Sequence, residues 1–132
     1  MCGFFGLQSY ELDTNEKIIA SRNAIKMLNS RGPDSNGTAL DDNNNLVFCH
    51  NRLSILDLSP LGNQPMKSSS GNLLIVFNGE IYNHISIREE LKNNNNFVNW
   101  KGTSDTETLI QAIEIWGLEK TLEKINGMFS FA

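Results

Sequence analysis

The chain has 132 residues, 39% of them hydrophobic and 20% charged, a balance that fits one soluble domain with one core. Eleven basic against fifteen acidic residues give a net charge of −4, and the basic residues are scattered, which argues against nucleic acid as a partner. No apolar run reaches the length of a membrane span, no secretory signal pattern opens the chain, and its two cysteines make neither a disulfide framework nor a zinc spacing, so a reduced, cytoplasmic protein without a metal site is expected.

Cys2 to Ser9 is short and apolar-aromatic and reads as a strand. Asp13 with Glu16 three residues on is a capping box, and Ile18, Ile25 and Leu28 follow at helical spacing. Arg31-Gly32-Pro33-Asp34 ends that helix near Asn29. Thr38 to Leu40 and Leu46 to His50 form a hairpin around the polar stretch Asp41 to Asn45, and Leu53, Ile55 and Leu56 continue the β character. Ser59 to Pro65 is a loop and Ser68 to Asn72 a turn. Leu73 to Phe77 is a continuous apolar run, the mark of a strand buried on both faces. Asn83 caps a helix through Ile85, Ile87 and Leu91 that ends in the Asn93 to Asn96 run. Ser104 or Asp105 caps the next helix, whose apolar face is Leu109, Ile110, Ile113 and Trp116 and whose stop is Gly117. A shorter helix with Leu118, Leu122 and Ile125 ends at Asn126-Gly127, and Met128 to Ala132 begins a strand. That last strand calls for a partner further on, because an unpaired apolar edge is an aggregation hazard, and the chain is therefore expected to be the N-terminal piece of a longer protein.

The chemistry starts at Cys2. Removal of Met1 would leave a thiol and a free α-amine on one residue. Their ordinary pKa values are about 8.5 and about 7.7–8.0, so proton transfer between them is nearly isoenergetic, and a terminal amine is an established activator of such a nucleophile. A small residue at position two is common, so this feature needs company. Asn78-Gly79 could supply two oxyanion donors, a side-chain amide and a glycine N–H; the competing reading is a plain hairpin turn, since Asn-Gly recurs at Asn36 and Asn126. Asn78 is distinguished by its place at the end of a buried strand, where its side chain must find a partner. Arg52 could clamp a carboxylate in a two-pronged geometry, or simply sit on a strand surface. Asp105 could hold a substrate ammonium, cap a helix, or do both, and Glu80 is equally open. Cys49 reads as a buried apolar residue, and His50 and His84 as structural histidines.

Taken together and in order, the segments Met1-Cys2-Gly3-Phe4-Phe5-Gly6, Arg31-Gly32-Pro33-Asp34, His50-Asn51-Arg52-Leu53-Ser54-Ile55 followed by Asp57, Phe77-Asn78-Gly79-Glu80-Ile81-Tyr82-Asn83, Gly102-Thr103-Ser104-Asp105-Thr106-Glu107 and Asn126-Gly127-Met128-Phe129 carry a resemblance. The chain resembles the class II glutamine amidotransferase domain of glutamine-hydrolysing asparagine synthetases over essentially its whole length. Each motif is weak alone; the ordered set is specific. It departs from the usual pattern at Ser30, where a histidine commonly stands, and at Asn51, where a charged residue often does.

The resemblance implies an α+β, N-terminal-nucleophile hydrolase-like fold: two stacked antiparallel β-sheets flanked by helices, with residues 1–132 forming a type 2 amidotransferase domain incomplete at its C-terminal end. It implies that Cys2 becomes the first residue and attacks glutamine. Arg52 would grip the α-carboxylate, Asp105 the α-ammonium, and Asn78 and Gly79 the oxyanion, while Leu53, Ser54, Ile55, Leu56 and Glu80 line the pocket. No cofactor is implied in this domain. ATP and Mg2+ belong to a synthetase domain, the implied partner, which would use the released ammonia to make asparagine from aspartate. Two rivals follow: an amidotransferase of the same branch with another acceptor, and an inactive fragment acting at most as an interaction module. Residues 1–132 alone are expected to have weak glutaminase activity or none.

Overall fold

The computed structural model describes residues 2–41, 43, 45–93 and 98–132. Met1, the turn residues Asp42 and Asn44, and Asn94 to Asn96 of the asparagine run lie outside the described residues. Seven strands and four helices form among those described: β1 (Gly3–Gln8), α1 (Thr14–Leu28), β2 (Ser35–Asp41), β3 (Leu46–Arg52), β4 (Met66–Lys67), β5 (Leu74–Ile75), β6 (Phe77–Ile81), α2 (His84–Asn93), α3 (Asp105–Trp116), α4 (Leu118–Lys124) and β7 (Gly127–Phe131). A 3₁₀ turn at Pro60–Gly62 sits between β3 and β4. The class is α+β with antiparallel sheets. No helix of the described residues is long and apolar enough to cross a membrane.

Local chemistry accounts for most boundaries. The Asp13 side chain accepts from Glu16 N at 2.9 Å while the Glu16 carboxylate accepts from Asp13 N at 2.8 Å, so the capping box fixes the start of α1. The expected hairpin is β2–β3, paired from Ser35↔Arg52 to Asp41↔Leu46. β1 pairs with the other edge of β3, giving the order β1-β3-β2. The Ser104 hydroxyl, not the Asp105 carboxylate, caps α3, accepting from Glu107 N at 3.2 Å. Gly117, at φ +83°, ends α3 where a side chain would be strained.

Four expectations change. The β character stops at Arg52: Ser54 N donates to Asp34 Oδ2 at 2.7 Å, which turns 53–58 away from the ladder. The Leu73 to Phe77 run is fully buried only from Ile75 to Phe77, and it changes partners on the way: Leu74–Ile75 pairs with β4, and from Val76 onward the chain pairs with the C-terminal strand. Asn83 does not cap α2 with its side chain; its amide donates to Lys124 O at 2.9 Å and accepts from Asn126 N at 2.8 Å, tying α2 to the end of α4. Leu118 and Leu122 of α4 are exposed, and Thr121 is the residue that packs inward.

The C-terminal strand is the largest correction. β7 already has a partner: it pairs antiparallel with β6, from Phe77↔Phe131 to Ile81↔Gly127. A residue larger than Gly79 could not sit there, since a Cβ would lie 2.3 Å from Met128 O and 2.5 Å from Phe129 Cα. Phe129 and Phe131 then pack on Ile75, Phe77, Ile81, Leu109 and Ile110. A second cluster of Ile87, Leu91 and Ala112 gathers Trp100 and Trp116. Fully burying a leucine such as Leu91 or Leu109 contributes roughly 1.5–3 kcal/mol.

Helix α1 packs on β3 and β1, β6 lies against β1, and α3 packs on β6. His50 joins the β1-β3-β2 sheet to the β6–β7 pair: from the middle of β3 its Nε2–H donates to Phe77 O of β6 at 3.0 Å. Burial lowers the His50 pKa to about 4, with the charge of Arg52 adding and the Phe77 bond opposing. The folded state therefore holds this ring neutral. Its contribution to stability is complete above pH 6.5 and is lost as pH falls from 6.5 towards 4, a loss of about 3 kcal/mol. We expect the urea midpoint to fall across that window, and His50→Gln to flatten the fall. A midpoint that is level between pH 6.5 and 4 would contradict this assignment.

Candidate active site

The far edge of β6 makes the site. Val76 exchanges both backbone bonds with Ala132, and Tyr82 N donates to Asn126 O at 2.8 Å. In an antiparallel ladder, bonded residues alternate, so Val76, Asn78, Glu80 and Tyr82 point their N–H groups at β7, and Phe77, Gly79 and Ile81 point theirs away. Side chains meet the outer two of that second row. Phe77 N donates to Gln64 Oε1 at 2.6 Å, and Ile81 N to Asp105 Oδ2 at 3.0 Å. The Gly79 N–H between them has no partner among the described residues. Asn78-Gly79 is therefore no turn; it lies inside β6 rather than at a strand's end, and the hairpin reading fails.

A cavity of about 260 Å³ opens here. Its walls include Cys2, Arg52, Leu53, Asn78, Gly79 and Asp105, together with Ile55, Leu56 and Glu80. Of the residues expected in the pocket, only Ser54 is absent from the wall; its N–H is occupied by Asp34. Cys2 Sγ lies 3.3 Å from Leu53 N, which donates to it, and 3.6 Å from Leu53 O. The Arg31 Nε–H donates to Cys2 O at 3.0 Å and fixes the residue just before β1. The Asn78 Oδ1 is buried without a hydrogen-bond partner among the described residues.

Arg52 is buried and held by its own loop. Nη1 donates to Ser59 O at 2.8 Å and to Asn63 Oδ1 at 2.9 Å, and Nη2 to Asp57 O. Gly62 leaves the space for it: a Cβ there would be 2.3 Å from Nη2. Three of five guanidinium N–H donors are thus engaged, and the group is not a surface arginine. Asp105, in the first turn of α3, accepts from Ile81 N and, at 2.8 Å, from Thr106 N. Burial pushes its pKa up, against those two bonds and the nearby His84. Burial pushes the His84 pKa down, with Asp105 opposing. The segment before Asp105 is braced by Arg88, which donates to Gly102 O, Ser104 O and Glu107 and lies 4.1 Å over the Trp100 ring.

Two pocket residues were not anticipated as functional. Gln64 bridges Phe77 N and Thr106 Oγ1, the latter at 3.2 Å. Asp57 is buried; Oδ1 accepts from Ser59 N at 2.8 Å and Ser59 Oγ at 2.6 Å, and Oδ2 from Thr103 N at 2.7 Å. Burial alone would raise its pKa, but these bonds bring it down to about 2. The Asp-x-Ser spacing at 57–59 is the one sequence signal that could have pointed to Asp57, as a side chain folding back on its own backbone. Cys49 is fully buried, which raises its pKa, and it plays no part in the cavity. Among the described residues no group of three or more His, Cys, Asp or Glu could hold a metal ion.

A thiol, an unpaired glycine N–H, a polar amide, a buried guanidinium and a buried carboxylate thus share one small cavity. That set suits nucleophilic attack on a carbonyl of a molecule bearing both charges. Comparison with known proteins agrees. A family model described as "Glutamine amidotransferase domain" matches residues 1–132. The chain is 37% identical over 135 residues to asparagine synthetase (glutamine-hydrolyzing) 1 of Bacillus subtilis, covering 99% of this chain and 20% of that one. It is 30% identical over 131 residues to asparagine synthetase (glutamine-hydrolyzing) 1 of Arabidopsis thaliana, covering 99% of this chain and 21% of that one. It is 34% identical over 119 residues to amidase chry2 of Gibberella zeae, covering 90% of this chain and 17% of that one. The chain thus spans about a fifth of the length of these curated relatives. It belongs to the glutamine amidotransferase domain family.

Proposed function

We propose that this domain hydrolyses glutamine to glutamate and ammonia, with Cys2 as an N-terminal nucleophile. The observation that carries the reading is the meeting of Cys2, Gly79, Asn78, Arg52 and Asp105 around one cavity of about 260 Å³. The helix–sheet–sheet–helix succession supports an N-terminal-nucleophile hydrolase fold. After loss of Met1, the α-amine takes the thiol proton, directly or through water. The Leu53 N–H, 3.3 Å from Sγ, donates toward the thiolate as it forms. Sulfur attacks the carboxamide carbon, and the Gly79 N–H and Asn78 amide receive the oxyanion. The ammonium returns its proton to the departing ammonia, leaving a γ-glutamyl thioester. Water then cleaves that bond, and glutamate leaves. Arg52 holds the α-carboxylate through its remaining N–H donors, and Asp105 the α-ammonium.

In the whole protein the ammonia would serve ATP-dependent synthesis of asparagine from aspartate, with ATP and Mg2+ taken up by a synthetase domain beyond this chain. The support is the asparagine synthetase relatives. A different acceptor is the second reading; one relative, matched over 90% of this chain, is named an amidase rather than an asparagine synthetase. The N-terminal scheme has a direct test. An uncleavable N-terminal extension turns the amine into an amide that cannot accept the proton, and in the whole protein glutaminase activity is expected to fall about 10²–10⁴-fold relative to the processed form. Equal activity with the extension in place would rule the scheme out.

A further inference from the structure

The two charged walls of the cavity come from segments far apart in sequence: Arg52 with its loop, and Ser104 to Thr106. We infer that Asp57 is a positioning residue that sets the spacing between Arg52 and Asp105, and with it the selectivity for a substrate bearing both an α-carboxylate and an α-ammonium. This rests on the recognition roles proposed above for Arg52 and Asp105.

Asp57 touches both walls. Its own carbonyl accepts from Arg52 Nη2. Its Oδ1 takes both Ser59 donors, at 2.8 and 2.6 Å, and so shapes the turn that aims Ser59 O at Arg52 Nη1, 2.8 Å away. Its Oδ2 crosses 46 residues of sequence to take Thr103 N at 2.7 Å, two residues before Asp105. Two glycines border the Asp57 side chain. A Cβ at Gly102 would be 2.6 Å from Oδ2, and one at Gly62 would be 3.3 Å from the Asp57 Cβ. Side chains at either glycine would push the walls apart.

The α-groups of an amino acid hang from one carbon, so the clamp and its counter-charge must keep a fixed separation. A displacement of about 1 Å far from the reacting atoms can cost ~10²-fold in rate. Both Asp57 carboxylate oxygens are taken by Ser59 and Thr103, and removing this bridge should change which substrates fit more than how reactive Cys2 is. Asparagine at 57 would keep an acceptor for Ser59 but turn an amide N–H₂ toward Thr103 N–H, opposing donor to donor. Losing a charged acceptor and stranding that N–H is worth about 10–100-fold in affinity.

The test compares two electrophiles on the processed chain, read as alkylation rates at Cys2 by intact mass. One is the diazoketone analogue of L-glutamine; the other is the same reagent without its α-amine. Wild type should prefer the first by about 10²-fold, and Asp57→Asn should shrink that ratio about tenfold or more, while labelling by iodoacetamide changes by less than about threefold. Should Asp57→Asn fail to fold, Ser59→Ala removes one of the three donors, keeps the carboxylate, and should shrink the ratio about threefold. An unchanged ratio in either folded variant, with both reagents slowed alike, overturns the inference. Asp105→Asn separates the two claims. If it collapses the ratio while Asp57→Asn leaves it intact, recognition by Asp105 stands and the role of Asp57 falls. If wild type shows no preference, the recognition reading falls first.

Discussion

In the whole protein, Cys2→Ala is expected to lower kcat for glutamine hydrolysis about 10⁴-fold or more, because Cys2 is the only cysteine among the described residues that line the cavity. Cys49, the other thiol, is fully buried on β3 and does not line the cavity. The α-amine would remain in the variant and could at best activate a water. Glutamine affinity should stay within about threefold, since Arg52 and Asp105 are untouched and the lost contact belongs to the reaction rather than to ground-state binding. Steady-state kinetics together with calorimetric titration of glutamine into the variant check both halves. Residual activity within about tenfold of wild type would mean that a different group attacks.

Asn78→Ala carries the second-largest expected effect. Its side-chain amide and the Gly79 N–H are the two donors assigned to the oxyanion, which exists only after attack. Removing one such donor typically costs about 10²–10³ in kcat with little change in KM. The backbone should tolerate the change: Asn78 keeps its pairing with Ser130 through main-chain atoms, which alanine retains. A rise in KM with kcat unchanged would assign Asn78 to ground-state binding instead. The equivalent test at Gly79 is closed, because any side chain there would collide with Met128 and Phe129 and disturb the β6–β7 pair itself.

Local rules made the helices readable. The Asp13 and Glu16 capping box, the Gly117 stop and the apolar spacing of α3 depend on neighbours a few residues away, and sequence shows those directly. The β2–β3 hairpin was legible for the same reason. What depended on register was not. Whether Asn78-Gly79 turns or runs straight is decided by β7, about fifty residues later, and so is the direction of the Gly79 N–H. The final strand read as unpaired because its partner lies upstream, hidden in an apolar run that changes partners at Val76. Chemistry and family resemblance singled out Cys2, Arg52, Asn78, Gly79 and Asp105, and the fold brings all five to one cavity. Asp57 and Gln64 escaped because their work is to accept or donate single bonds across 46 and 42 residues of sequence, and an isolated aspartate or glutamine gives no sign of that. Ser54 was placed in the pocket with its neighbours in the motif, but it is absent from the cavity wall and its N–H is taken by Asp34.

The central claim is that the first residue of the mature chain is the nucleophile. Intact-mass spectrometry with peptide mapping, before and after treatment with the diazoketone analogue of L-glutamine, tests it most directly. The account predicts a chain lacking Met1, one adduct per molecule on Cys2, and protection by glutamine. An adduct on Cys49, or saturable labelling of Cys2 while Met1 is still attached, would contradict it.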